Sequence, residues 1–329
     1  MSDNAFEKFK FKGTAKEWFG IWIVNLLLSI VTIGIYSAWA KVRSKKYFAN
    51  NTFVANRNFD YHATGKQILI GRLIIIGGYI IFVAMAFVVP KFGAILMVAL
   101  IFNLPWLMPW LIVRSMMFNA RMTSFSNVRF NFIGTECRQA GLPGKAFLVF
   151  FIYPILTALT LFITAPFLSR AYNKYVINNY RLGTAEFQLD SPIAPFYKAF
   201  LSALAWVVVV GGLIWVLRSL SYISFPDFAG AMDNPEDNPA GVASVIGMYN
   251  LLFFALFLPA AVIYGAMIRN TIYNATTLTG GHKFNSTVSA AKLFWLALSN
   301  FAVVICTLGL MIPWAQIRIA KYLAENTNL

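Results

Sequence analysis

The sequence predicts a polytopic α-helical membrane protein with internal repeats: four full spanners, three further helices that are broken and re-entrant or single-pass, and cytoplasmic β-hairpins that form a sheet. Three observations carry this expectation. Of 329 residues, 59% are apolar and only 12% charged, with a mean hydropathy of +0.66, whereas soluble domains run about 45–50% apolar and about 25% charged. Apolar runs occur at Trp18–Ala40, Ile68–Val89, Phe92–Val113, Ala146–Leu168, Ala199–Leu217, Val245–Ile268 and Leu293–Ala315, each near the roughly 20 residues a helix needs to cross hydrocarbon. Segments of the chain also align with one another at fixed offsets. Together these exclude a soluble enzyme and a disordered chain, and Cys137 and Cys306, the second inside an apolar run, are too few for a disulfide framework.

The first run lies beyond Lys8, Lys10, Lys12 and Lys16 and has no small-residue cleavage site, so it is expected in the mature chain. Lysine and arginine are retained in cytoplasmic loops, so the sign of each connection reports its side. Residues 219–268 hold no Lys or Arg but carry Asp227, Asp233, Glu236 and Asp237, which predicts a periplasmic loop at 219–244. Pro90-Lys91-Phe92 reads as the tight turn of a helical hairpin. The remaining connections are basic and, with both termini, are expected in the cytoplasm. Runs one, four and seven are then basic at both ends, which a single crossing cannot satisfy.

A shift of 275 residues aligns Lys8–Thr52 with Lys283–Thr327 without a gap, matching among others Phe9/Phe284, Asn25/Asn300, Thr32/Thr307, Gly34/Gly309, Arg43/Arg318 and Tyr47/Tyr322. Weaker copies at offsets 71 and 128 pair Arg43 with Arg114, Thr52 with Thr123, and Tyr47 with Tyr175. The expected organisation is one membrane domain, 1–329, of five units: 6–52, 53–123, 124–180, 181–276 and 277–329. Between them, Thr52–Tyr61, Ser124–Phe132, Tyr180–Leu189 and Ala275–Phe284 alternate with period two around Asn or Gly, which reads as hairpins. Isolated hairpins are marginal, so these should pair with one another, Phe6–Phe11 joining them. Pairing needs one side of the membrane and hence an even number of crossings per unit. Runs one, four and seven meet this if they bend back near Thr32-Ile-Gly34, Pro154 and Thr307-Leu-Gly309; an ordinary seven-helix bundle with weak charge bias is the alternative.

Phe9-x-Phe-x-Gly-Thr, the stretch Thr32-Ile-Gly-Ile-Tyr-Ser-x-Trp-Ala-Lys-Val-Arg43, Asn51-Thr52 and Phe59-Asp-Tyr-His-x-Thr-Gly65 resemble the YjgN family of bacterial inner-membrane proteins. The resemblance covers most of the chain and implies a multi-pass protein of the bacterial inner membrane, of unassigned function. Residues 136–144 are an insertion in the third unit, and the fourth has a long outer loop.

No catalytic constellation, cofactor site or metal site is expected. His62 and His282 lie beside strands without partners at ligand spacing, and Gly141-Leu-Pro-Gly-Lys145 lacks the remaining residues of a phosphate loop. Polar residues inside apolar runs are better leads. Asn25, Asn103, Asn250 and Asn300 are candidates for an intramembrane polar path or for interhelical hydrogen bonds. Arg43, Arg114, Arg269 and Arg318, with Tyr47, Tyr273 and Tyr322, are candidates for contact with anionic lipid headgroups on the cytoplasmic side; a pure topology signal is the alternative. Arg72 and Arg218 are placed to snorkel. Partners are therefore lipids, with a homo-oligomer or a docked protein open, and the scattered cations do not suit nucleic acid. Two functions follow: a transporter or channel-like protein for a small solute or lipid, or a structural, lipid-organising scaffold.

Overall fold

The computed structural model describes residues 7–88, 90–134, 138–139, 142–220, 230–231 and 236–329. Cys137, Gly141, Asp227, Asp233 and most of the acidic loop lie outside them. In chain order the elements are β1 (Lys10–Phe11), α1 (Ala15–Val31), α2 (Ser37–Asn50), β2 (Thr52–Val54), β3 (Arg57–Tyr61), α3 (Gly65–Val88), α4 (Pro90–Arg121), β4 (Thr123–Phe125) and β5 (Val128–Phe132). There follow β6 (Arg138–Gln139), β7 (Leu142–Pro143), α5 (Lys145–Leu159, with a π-helical turn at Leu148–Ile152), α6 (Ala165–Asn178), β8 (Tyr180–Leu182), β9 (Ala185–Leu189), α7 (Ala194–Ser219) and α8 (Pro239–Asn274). The chain ends in β10 (Thr276–Leu278), β11 (His282–Lys283), β12 (Asn285–Ser286), α9 (Ala290–Cys306), α10 (Ile312–Glu325) and β13 (Thr327–Asn328).

The strands form an antiparallel ladder in the order β1-β2-β3-β4-β5-β8-β9-β10-β11. Beyond Phe284, β12 continues β11 and pairs with β13 through Asn285↔Asn328 and Ser286↔Thr327. β13 returns to the start of the ladder. Lys8 bridges Asn328, Glu7 and Leu329 exchange backbone hydrogen bonds of 2.8 and 2.9 Å, and the Phe9 N–H donates to the Thr327 carbonyl at 3.0 Å. The sheet is therefore closed into a barrel, with no edge left unpaired along this path.

Local sequence explains each strand entry and turn. Thr52, Thr123, Thr276 and Thr327 each follow a helix and donate their hydroxyl to the carbonyl four residues back, at 2.7–2.8 Å. This satisfies a helix-end carbonyl at the residue where the chain turns into a strand. Ala55-Asn56 and Ser126-Asn127 hold positive φ (49° and 59°, 49° and 67°), as a tight two-residue hairpin loop requires.

Every helical excursion leaves the barrel and returns to it. α3/α4 and α7/α8 are the long excursions. Among the described residues, three helices are long and apolar enough to cross a membrane: Gly65–Met85 within α3, Ala194–Ser219 and Pro239–Asn274. The expected spanner Phe92–Val113 lies within the 32-residue α4, which contains Pro105 and Pro109. The short excursions are helical hairpins, α1/α2, α5/α6 and α9/α10. Two of them reverse where the sequence places the break. Thr32 donates its hydroxyl to the Leu28 carbonyl at 2.7 Å and accepts the Tyr36 N–H at 2.9 Å; Thr307 makes the matching bonds to Val303 and Met311 at 2.7 and 3.2 Å. Ile33 and Gly34, and Leu308 and Gly309, take the left-handed turn (φ 49° and 84°, 49° and 89°).

The third break is not at Pro154. That proline sits inside α5, directly after the π-helical turn, whose wider hydrogen-bond spacing accommodates a residue without an N–H while the helix continues. The reversal comes at Thr160–Thr164, where Leu161 and Phe162 hold φ of 48° and 65° and the two threonine hydroxyls bond at 2.8 Å.

Barrel closure depends on few backbone bonds, so Leu329→Pro, which removes the N–H given to Glu7, is expected to lower the midpoint of thermal unfolding in detergent by several degrees relative to Leu329→Val. Equal midpoints would mean that closure adds no stability.

Candidate functional site

Strand alternation sends every second side chain to the barrel axis. One inward ring consists of Phe9, Phe59, Phe130, Phe187 and Phe284, contributed by five different stretches of chain. Successive centroids are 6.5, 6.3, 6.3 and 6.1 Å apart, with interplanar angles of 16°, 11°, 23° and 28°. Five rings standing as radial fins would differ from their neighbours by about 72°, so these rings instead lie across the axis and overlap as the blades of an iris do. A second inward ring, Val54, Phe125, Leu182, Leu278 and Leu329, lines the same cavity of about 510 Å³.

The floor of the cavity is made by the last turns of helices entering the barrel, among them Asn119, Ile177, Ile272 and Tyr273. An adjoining space of about 390 Å³ shares Phe9, Phe59, Thr123 and Tyr273 with it and extends to Ala320 and Leu323 of α10. Among the described residues, Leu329 brings the terminal carboxylate, and the lining side chains of both spaces are apolar or neutral except that of Arg269. Its guanidinium carbon lies 4.3 Å from the centroid of the Tyr273 ring, and an Nη donates to Thr327 Oγ1 at 3.0 Å. Arg269 Nε is buried with no hydrogen-bond partner. At the lining position Tyr180, burial raises the phenol pKa, with Tyr172 adding to the effect, so the group stays neutral. The opposite face of the strands carries Asn58, Arg129, Arg181, Glu186 and Lys283, with Arg181 and Glu186 paired at 3.0 Å.

The sequence candidates do not converge on one site. Asn103 and Asn250 are exposed and donate to their own helices at Ala99 and Ile246, both 2.8 Å. Asn25 and Asn300 are buried, and each meets a candidate arginine from the facing leg of its hairpin: Arg43 donates to Asn25 Oδ1 at 3.4 Å, and Arg318 to Asn300 Oδ1 at 3.2 Å and to Ser299 at 2.7 Å. Arg43 also donates to the Tyr36 hydroxyl at 3.0 Å. Arg114 and Arg318 lie over Trp110 and Trp314 at 5.6 and 5.1 Å. Tyr47 and Tyr322 turn their hydroxyls to backbone at the base of the first leg: each accepts an N–H, from Thr14 and Ser289, at 2.9 Å, and donates to the same residue's carbonyl at 3.0 and 3.2 Å. Arg72 donates to Ser37 Oγ, tying α3 to α2. His62 Nε2 lies 2.7 Å from Ser124 Oγ, and its Nδ1 is 3.7 Å from Asp60.

The phenylalanine iris is absent from the sequence candidates. The signal that could have found it is the recurrence of Phe at offsets 275, 71 and 128 inside the alternating segments, which joins Phe9 to Phe284 and Phe59 to Phe130 and Phe187.

Long apolar helices, joined to a barrel whose outer face is polar and whose inner face is mostly apolar, define an integral membrane protein. The chain belongs to the family described as bacterial protein of unknown function (DUF898), which matches residues 6–329. It is 25% identical over 372 residues to the inner membrane protein YjgN of Salmonella typhimurium, covering 99% of this chain and 89% of the relative. Identity to inner membrane protein YjgN of Escherichia coli O157:H7 is 24% over 360 residues, 98% of this chain and 88% of the relative. The protein of the same name from Escherichia coli strain K12 is 32% identical over 152 residues, 46% of this chain and 35% of the relative. No solved structure matches.

The Asn300–Arg318 contact is a buried polar pair in an apolar hairpin. Asn300→Leu is expected to destabilise the protein by about 1–3 kcal/mol in denaturant titrations in detergent, while Asn103→Leu, at an exposed position, changes little.

Proposed function

We propose that this protein is a conduit of the bacterial inner membrane, in which the barrel stands on the cytoplasmic side and its axis is the path of a small apolar solute or lipid, gated by the phenylalanine iris. The carrying observation is the closed ring of strands around an apolar cavity whose floor is made by the ends of membrane helices. Hydrophobic constrictions gate by excluding water, and an aromatic ring across an axis is one. The five-unit organisation is part of the proposal: each unit supplies one inward phenylalanine and one helical excursion.

The same reading sets the topology. Strands of one barrel share one side, so α3/α4 and α7/α8 cross as pairs, four spanners in all, and the short hairpins enter the bilayer and return. Their legs of 17 and 14 residues for α1 and α2, and again for α9 and α10, are roughly 25 and 21 Å long, shorter than the roughly 30 Å hydrocarbon core. Their tips are apolar and outward, Ile33 and Leu308 being 93% and 94% exposed. Polar residues on the barrel's outer face suit water, and the surrounding cations suit the cytoplasm.

Two experiments test this. In liposomes, a Phe59→Ala/Phe187→Ala variant is expected to raise the flux of small apolar solutes or lipid about tenfold over the unaltered protein, and Phe187→Trp to lower it. Equal flux from all three and from empty vesicles would overturn the conduit and leave the scaffold. In intact cells, a cysteine at Asp237 is expected to react with an impermeant thiol reagent and one at Asn56 to resist it; the reverse pattern would invert the orientation.

A further inference from the structure

The cavity has one more asymmetry. Its two inward rings are apolar all round, yet at the level where the helices enter it a single cation stands on one side, at Arg269. The rest of the cationic excess, +15 over the whole chain, lies elsewhere. A guanidinium lining an apolar space is costly unless its N–H groups are paired. Here Thr327 and the Tyr273 ring take part of it, and Nε has no partner. Among the described residues no Asp or Glu side chain lines either space; the carboxylate of the final residue, Leu329, stands at the cavity lining and accepts the Glu7 N–H.

We propose that the barrel cavity binds an anionic amphiphile with a single acyl chain inserted through the phenylalanine iris and its carboxylate or phosphate on Arg269. A hydrated ion or sugar would lose its water without recovering hydrogen bonds from Phe, Leu and Val, whereas each methylene of an acyl chain gains by leaving water. The volume of about 510 Å³ lies in the range of sites that enclose one small ligand. An oxyanion supplies Arg269 with the charge-assisted bond its Nε lacks, and a guanidinium can present two parallel N–H groups to it. The chemistry is shared by a free fatty acid and by one chain of an anionic phospholipid. As an account of what moves through the axis, this inference rests on the conduit reading; as an account of binding, it is tested separately.

The probe is cis-parinaric acid, its fluorescence followed on titration into the full-length protein in non-ionic detergent, with its methyl ester as the uncharged control. Expected are saturable binding of the acid at one site, binding at least tenfold weaker for the ester, and about a tenfold loss for the acid with Arg269→Gln that Arg269→Lys partly restores. Leu278→Trp, which fills the cavity, is expected to abolish binding of both probes; Leu182→Phe serves where that variant does not fold. Equal affinity for acid and ester, an unchanged Arg269→Gln variant, or full binding by a folded, filled-cavity variant would each overturn the inference. Phosphatidylglycerol that displaces the acid at stoichiometric amounts would identify phospholipid as the source, and failure to displace it a free acid. Loss of acid binding with liposome flux intact defeats this inference alone, and binding without flux defeats the conduit alone.

Discussion

Antiparallel pairing of Lys8 with Asn328 is the contact on which the architecture depends. It joins the two ends of the strand ladder, so every stretch between strands must begin and finish on the barrel. The helices are thereby confined to excursions with two legs. A chain of this hydropathy could otherwise pack as a bundle with an odd number of crossings; the proposed topology has an even number because backbone hydrogen bonds cannot be made across a bilayer. The same closure pairs both edges of the long ladder.

Closure also separates two surfaces. Along each strand, the residues facing the axis are Phe, Leu, Val and Thr, and those facing outward include Asn58, Arg129, Arg181 and Glu186. Membrane β-barrels carry the opposite pattern, apolar outside and polar within. On the proposed topology, a barrel built this way stands in water while enclosing a mostly apolar space, with Asn119, Thr123, Tyr180, Tyr273 and Thr276 as the polar residues of its lining.

The pattern of apolar runs, the alternating hairpins and the Thr-Ile-Gly and Thr-Leu-Gly reversals were legible in the sequence because each is local: a period, or a hydroxyl at fixed distance from a glycine. Pro154 misled for the same reason, since a proline is a local breaker in general and is accommodated here by the π-helical turn just before it. The iris was not legible, because Phe9, Phe59, Phe130, Phe187 and Phe284 come together only when the ring closes, and a lone Phe in an alternating segment reads as ordinary core. Arg269 illustrates the limit differently. Its spacing to Tyr273 matches that of Arg43 to Tyr47, which suggests one shared role, yet Arg43 reaches Asn25 within its own hairpin while Arg269 lines the space adjoining the barrel cavity and touches Thr327. Equal spacing on equivalent helices does not fix which neighbour a long side chain meets.

The helical reversals show how the excursions survive in lipid. Ile33, Leu161 and Leu308 hold left-handed backbone that branched or bulky side chains disfavour, and glycine throughout would avoid the strain. In a bilayer, however, the turn must present apolar side chains outward and leave no backbone group unpaired. The threonine before each turn resolves the second requirement: Thr32 and Thr307 bond both the carbonyl behind and the N–H ahead, and Thr160 bonds the carbonyl behind and the hydroxyl of Thr164. The exposed Ile33, Leu161 and Leu308 side chains resolve the first, since their burial in lipid is worth roughly 1.5–3 kcal/mol for each such residue, against a strain on the order of 1–3 kcal/mol. In water both quantities would be unfavourable together. On the proposed topology the strained apolar turn sits at membrane depth, and its placement at the far end of each short hairpin holds the hairpin in the bilayer while the barrel stays outside.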